Sequence, residues 1–326
     1  MLKEDSQLRK IKNAANAPET GFGTTVNAPD QRFLNKDGSP NIARLGEPRF
    51  QVINIYHSLI TMSWRRFNTL VFAFYFTVNL FFTFIYILLG SANIQGMLYS
   101  SRIEKFWEVF FFSAQTLTTV GYGRLNPAGI ETSTLAAIES LIGLMGFALA
   151  TGLLYGRFSR PTAKIIYSDK ALVAPYRHKK FEFKDMTGFM FRIANARRNQ
   201  LIEIEVQVLF SYNSEEDGKV QRRFQQLDLE IAKANFLTLS WTVVHPITEE
   251  SPMSGLTKED LKNIEAEFFI SIKAVDDGYA QSVYSRSSYK TEELVFNAKF
   301  ESAITRLESG KTAVDLRKIS SYNIVS

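Results

Sequence analysis

The groups in this chain best placed to do chemistry are backbone carbonyls, in the run Thr119-Val120-Gly121-Tyr122-Gly123. Glycines at alternate positions admit backbone conformations closed to other residues, so successive carbonyls can all turn to one side. Four copies around an axis would stack rings of oxygens that replace the hydration shell of K⁺. The expected K⁺ ligands are Thr119, Val120, Gly121 and Tyr122, with the Thr119 hydroxyl adding a ring at the inner end and Gly123 closing the segment. The Tyr122 side chain is expected to point away and brace the loop against Phe106, Trp107 and Phe110. One chain supplies one loop, so a sealed path demands four chains; this counts against transporter subunits that carry four such loops in one chain. Other chemistries lack material. There is no Cys, which excludes a thiol nucleophile, a disulfide scaffold and Cys-based metal sites, and the three His, at 57, 178 and 245, lie far apart. No phosphate-cradling Gly loop follows a strand and no triad spacing occurs, so neither an enzyme nor an organic cofactor is expected. A net charge of +5, from 38 Lys+Arg against 33 Asp+Glu, is too small to argue for nucleic acid.

Such a loop needs elements that hold it at membrane depth. Residues 67–101 contain no charged side chain. Within them, 67–90 would span roughly 35 Å as a helix, against a hydrocarbon core of about 30 Å. A second span is expected over 132–156, with Glu139 as its single charge. The first begins too far into the chain, and lacks the cleavage pattern, to be a signal peptide. Between them, 104–118 is apolar but too short to cross, which marks a re-entrant pore helix. Arg65 and Arg66 precede the first span, and Arg157, Arg160 and Lys164 follow the second, whereas charges between the spans cancel. By the positive-inside rule both termini are cytoplasmic, in a cell (inner) membrane. Phe147, Thr151 and Tyr155 share one face of the second span and are expected to line the pore, Tyr155 as a gate that closes by dewetting. Gly143 is the expected hinge, and Gly143, Gly146, Gly152 and Gly156 permit bending or close helix contact. Glu139 is expected to hydrogen-bond the pore-helix region.

Four segments follow: a polar N-terminal segment over 1–52, an interfacial helix over 53–66, a pore domain over 67–160 and a regulatory domain over 161–326. The interfacial helix places Ile55, Leu59 and Met62 on one side and ends in Trp64-Arg65-Arg66. Trp64, Arg65, Arg66, Arg157, Arg160 and Lys164 are the expected contacts of anionic phospholipid. From Ile165 the pattern changes to period two, as in Ile202, Ile204, Val206, Val208 and Phe210. Similar runs at 189–195, 236–244, 267–275 and 294–300 predict a β-sandwich, and Thr257-Lys258-Glu259-Asp260 predicts a capped helix.

Several motifs in order resemble the inward-rectifier (Kir-type) potassium channels, in particular prokaryotic, KirBac-like members. They are Arg32-Phe33-Leu34-Asn35-Lys36-Asp37-Gly38, Ser63-Trp64, the 119–123 run, Phe191-Arg192-Ile193-Ala194-Asn195-Ala196-Arg197, Val244-His245-Pro246-Ile247 and Arg286-Ser287-Ser288-Tyr289. The resemblance implies a membrane α-helical two-span pore domain with slide helix, pore helix and filter, plus a cytoplasmic all-β immunoglobulin-like sandwich. It implies a homotetramer with passive K⁺ conduction and gates at Tyr155 and a loop at 277–280 that contains Gly278. It also implies phosphoinositide sensitivity, involving Arg65, Arg157, Arg160 and Arg197, and Mg²⁺ or polyamine block from inside. Phe147 replaces the cavity acid of strong rectifiers, and of two cytoplasmic-pore acids Glu203 matches one while Lys273 replaces the other, so weak rectification is expected. Gln115 and Leu125 stand where a glutamate–arginine pair would brace the filter, and Glu139 is the expected substitute. A weakly selective cation pore and a non-conducting lipid or ion sensor are the alternative readings.

Overall fold

The computed structural model describes residues 32–41, 54–161, 163–177, 185–216 and 218–325. The polar segment 1–30 and His178 lie outside the described residues. The described chain forms two compact units, one ending at Arg160 and the other running from Pro161 and including residues 32–41.

The first unit is helical: α1 Asn54–Thr61, α2 Trp64–Gly90, α3 Arg102–Leu117 and α4 Ile130–Phe158. Two of its helices, α2 and α4, are long and apolar enough to cross a membrane. Ser63 caps α2, its hydroxyl accepting from the Arg66 amide at 3.5 Å. That cap supplies a partner for one of the amides a helix start leaves unpaired, and it decides where the chain turns. The interfacial helix therefore stops at Thr61, and Trp64, Arg65 and Arg66 form the first turn of the span rather than the end of the helix before it. Cations in a first turn oppose the helix dipole, so helix stability does not account for this pair. A short antiparallel pairing of β1 Ile94–Gln95 with β2 Asn126–Pro127 ties the start of the re-entrant segment to its end. The unit's core joins Phe82 and Tyr86 of α2 to Val109 and Phe112 of α3 and Ala136 of α4.

The second unit is a β-sandwich. Its strands run β3 Ile165–Tyr167, β4 Ala171–Arg177, β5 Asp185–Asn195, β6 Leu201–Glu216, β7 Lys219–Leu227, β8 Lys233–Phe236, β9 Ser240–Pro246, β10 Glu267–Asp276, β11 Gln281–Lys290 and β12 Leu294–Phe296. One sheet has the order β11-β10-β6-β7 with β8 on β6; the other has β12-β4-β5-β3 with β9 on β5. Short ribbons follow, β13 Ala298–Phe300 with β16 Tyr322–Ile324 and β14 Ile304–Arg306 with β15 Thr312–Val314. The sheets meet where Phe189 stacks on Phe268, ring centroids 4.4 Å apart. The helix α5 Lys258–Asn263 carries the expected capping box, Thr257 with Asp260. The N-terminal segment sets Leu34 against Phe224 and Phe269, and Arg32 donates to the Ser288 carbonyl and to Glu293.

Three sequence expectations change. The run 236–244 is two strands, β8 and β9, in different sheets. The run 294–300 is broken at Asn297, whose φ is 53°. In β6 a bulge at Glu203, φ 50°, slips the register with β10 between Lys273 and Val275. A one-residue slip moves every following side chain to the opposite face. Leu201 is therefore fully buried, and Ile202, expected inward, is only half-buried.

Candidate ion pathway and its supports

The 119–123 segment departs from α3 under backbone control. The Thr119 amide donates to the Thr116 carbonyl at 3.1 Å and the Val120 amide to the Gln115 carbonyl at 2.9 Å. Thr119, Gly121 and Gly123 then have φ of 58°, 53° and 86°, so the left-handed conformation recurs at every second residue. That alternation falls at the glycines and enlists a β-branched residue that ordinarily avoids this region. All five residues are exposed in the single chain. Tyr122 departs from expectation: it is 81% exposed, and among the described residues it makes no ring contact with the pore-helix aromatics. Trp107 packs instead on Phe106, Phe110 and Phe111 of its own helix.

Three supports hold this loop. At its C-terminal end the Arg124 guanidinium grips Glu108 with two bonds, 2.8 and 3.0 Å, and donates to the Gly96 carbonyl at 2.9 Å. Charge counting treats these two residues as cancelling; the fold makes them partners. Behind the loop, Glu139 is fully buried. It accepts from the Ser113 hydroxyl of α3 at 2.5 Å and from the Tyr86 hydroxyl of α2 at 2.7 Å. At the C-terminal end of α3, the Ser140 hydroxyl donates to the Thr116 carbonyl at 3.2 Å. Gly143 sits so close that a Cβ there would fall 1.8 Å from the Leu117 carbonyl. Helix α4 runs unbroken through Gly143, so in this structure the glycine serves a close contact rather than a bend.

Phe147, Thr151 and Tyr155 lie on one face of α4 that its own chain leaves open, Phe147 74% and Tyr155 75% exposed. Among the cations expected at lipid, Arg157 has a different first duty. Its two terminal nitrogens donate to the carbonyls of Leu59 and Met62, at 2.6 and 2.7 Å, where α1 ends. Its guanidinium lies over the rings of Trp64, 4.5 Å, and Phe67, 4.6 Å. Trp64 also packs on Phe158 at 5.1 Å. Carbonyls left open at a helix C-terminus attract a cation, and no sequence spacing announces this partner. Arg65, Arg66 and Arg160 are exposed, as is Lys164 in the other unit.

In the sandwich, Glu203 is exposed at its bulge, close in register to the end of β10. Residues 277–280 form the turn from β10 to β11, held by the buried Asp276. Asp276 accepts from the Gly278 amide at 3.0 Å and the Asn199 side chain at 2.6 Å. Lys273 is exposed, opposite Glu205 and Tyr284.

A two-span helical unit with a re-entrant carbonyl loop, followed by a β-sandwich, defines a channel class, and comparison with known proteins agrees. A family model described as ion channel matches residues 76–160, and one described as inward rectifier potassium channel C-terminal domain matches residues 165–326. The chain is 38% identical over 289 residues, 88% of its length and 94% of the relative's, to inward rectifier potassium channel Kirbac3.1 of Paramagnetospirillum magnetotacticum. It is 25% identical over 308 residues, 87% of its length and 70% of the relative's, to G protein-activated inward rectifier potassium channel 2 of Rattus norvegicus; the Homo sapiens protein gives the same figures. The chain belongs to the inward rectifier potassium channel family. It is an ion-transport protein of the membrane and not an enzyme, and K⁺ is the permeant ion of its family.

Proposed function

We propose that four copies of this chain close around an axis as a homotetramer that conducts K⁺ passively and selectively across the cell (inner) membrane, with both termini cytoplasmic. The observation that carries this reading is the alternation of left-handed backbone at Thr119, Gly121 and Gly123, on a loop left open in the single chain. Thr119, Val120, Gly121 and Tyr122 hold the ion, since carbonyl rings stand in for its hydration shell. Assembly draws support from α3, where Ile103, Trp107 and Phe111 form an exposed apolar stripe at i, i+4, i+8, and from Tyr122, which its own chain leaves exposed.

Phe147, Thr151 and Tyr155 line the path below the filter, and four Tyr155 rings close it by dewetting. The 277–280 turn with Gly278 is a second constriction, in the cytoplasmic sandwich. Anionic phosphoinositide modulates the gate through Arg65, Arg66, Arg160 and Lys164, each worth about 1 kcal/mol at an anionic surface. Trp64 and Arg157 join the inner ends of the helices into the frame that responds. With Phe147 in the cavity, and with Glu203 but Lys273 at the two cytoplasmic-pore positions, Mg²⁺ and polyamines entering from inside block only weakly.

The test is ⁸⁶Rb⁺ uptake into liposomes holding the purified protein, competed by K⁺ or Na⁺, with and without phosphoinositide. Competition by K⁺ but not Na⁺ is the expected result, and the lipid lane gives the sign of regulation. Steep block by micromolar spermine in inside-out currents would count against weak rectification.

A further inference from the structure

We propose that Glu139 is the positioning residue that sets the ion selectivity of this pore, acting through Ser113 of the pore helix; the inference rests on the channel reading above. Glu139 is 0% exposed in the middle of an apolar span, where a carboxylate costs several kcal/mol unless its oxygens are satisfied. Both oxygens are satisfied by hydroxyls, Ser113 and Tyr86, and among the described residues no cation pairs with it. Neither packing nor charge balance asks for an acid here; what this acid does is join three helices at one point. Ser113 Oγ also lies 3.2 Å from the backbone and side-chain oxygens of Asn79 in α2, acceptors that compete with Glu139 for its single proton.

The junction bears directly on the filter. Ser113 is one turn before Leu117, whose carbonyl meets Gly143, and the carbonyls of Gln115 and Thr116 hold the Val120 and Thr119 amides. A displacement of Ser113 therefore passes through the last turn of α3 into the residues that present oxygens to the ion. Rings of carbonyls discriminate K⁺ from Na⁺ only while their number and spacing are kept, and shifts of about 0.5 Å are enough to degrade such a constellation. A carboxylate suits the position because it accepts at both oxygens, and both partners can donate. Glutamine offers an oxygen that only accepts and an amide nitrogen that only donates, so one hydroxyl must reverse from donor to acceptor and send its own proton to another oxygen, which alters the junction.

The experiment uses the full-length protein as wild type, Glu139→Gln, Ser113→Ala and the double variant. Two quantities are read: the ratio of K⁺ to Na⁺ competition in ⁸⁶Rb⁺ uptake, and the K⁺ concentration that protects the assembly against heat dissociation. Each single variant should reduce the K⁺/Na⁺ ratio and raise the protective K⁺ concentration, both about tenfold, which is about 1.4 kcal/mol. The double variant should be no worse than the more affected single one, because the two residues act as one unit. A merely structural role would lower heat resistance in K⁺ and Na⁺ alike and leave the ratio unchanged, and that result overturns the inference. If Glu139→Gln does not assemble, Ser113→Ala carries the same test, and a wild-type ratio from it has the same force. A wild type without uptake or K⁺ protection overturns the channel reading and this inference with it. A selective wild type beside unaltered variants overturns the inference alone.

Discussion

Thr119 shows what the filter asks of a single residue. Its φ of 58° is a conformation that costs a β-branched side chain on the order of 1–3 kcal/mol, retained because its neighbours are tied to the pore helix. At Gly121, φ 53°, the single chain leaves open space around an added Cβ, so the obstacle to substitution is backbone conformation. Gly121→Ala should cost about 1–2 kcal/mol per subunit in the filter conformation and abolish the preference for K⁺ over Na⁺ in the liposome competition assay. Lipid binding that survives in this variant would distinguish a damaged pore from an unfolded protein. At Arg157, replacement by Gln removes two bonds to the end of α1 and the stacking on Trp64. It should lower stability by about 1–3 kcal/mol, because hydrogen bonds from a charged donor are among the stronger ones. Arg65→Gln, at an exposed site, should leave the melting temperature unchanged and weaken only the response to anionic lipid.

Among the elements, β9 carries a titratable test. His245 is buried; its Nδ1 lies 2.6 Å from the Asp228 carbonyl and its Nε2 2.7 Å from the Ser251 hydroxyl. A carbonyl only accepts, so Nδ1 bears the proton and Nε2 accepts from Ser251. Burial pushes the His245 pKa below its usual value of 6.5. The unfolded chain therefore binds the proton more readily, so the stability contributed is fully present above pH 6.5 and is lost as pH falls through the lower folded value. Amide exchange along the β5–β9 ladder, corrected for intrinsic rates, should be faster at pH 5 than at pH 7.5; equal protection would refute this. The outer end of α3 makes a contrasting case. The Arg124–Glu108 pair is partly exposed and screened by solvent, so Arg124→Gln should scarcely move the melting temperature. Its effect belongs to the loop: without the guanidinium the Gly96 carbonyl and Glu108 are no longer joined, and currents should become noisier or inactivate.

For the whole molecule, the open face of α4 is the decisive feature. Helix α4 has few buried side chains within its own chain, and Phe147, Thr151 and Tyr155 need either lipid or further copies against them. Light scattering of the detergent-solubilised protein should give four chains. Tyr155→Ala should raise ⁸⁶Rb⁺ uptake several-fold in vesicles where the wild type is closed, because the smaller side chain leaves the constriction wet.

Much of this was legible in the residue order, for a common physical reason. Spans, pore helix and filter run are written locally: residues 67–101 lack charge, alternate glycines license a backbone path, and Thr257 with Asp260 closes a capping box within four residues. Periodicity likewise announces a sandwich, since each strand buries alternate side chains wherever it lies. What only the tertiary structure decided is which distant groups meet. Arg124 found Glu108, Arg157 took the carbonyls of Leu59 and Met62, and Gly143 gave its missing Cβ to Leu117. Tyr122 was left uncovered, and the bulge at Glu203 exchanged Ile202 for Leu201 in the core. Polar partners and close contacts are chosen by the geometry of helices and sheets already packed, across separations for which spacing along the chain carries no signal.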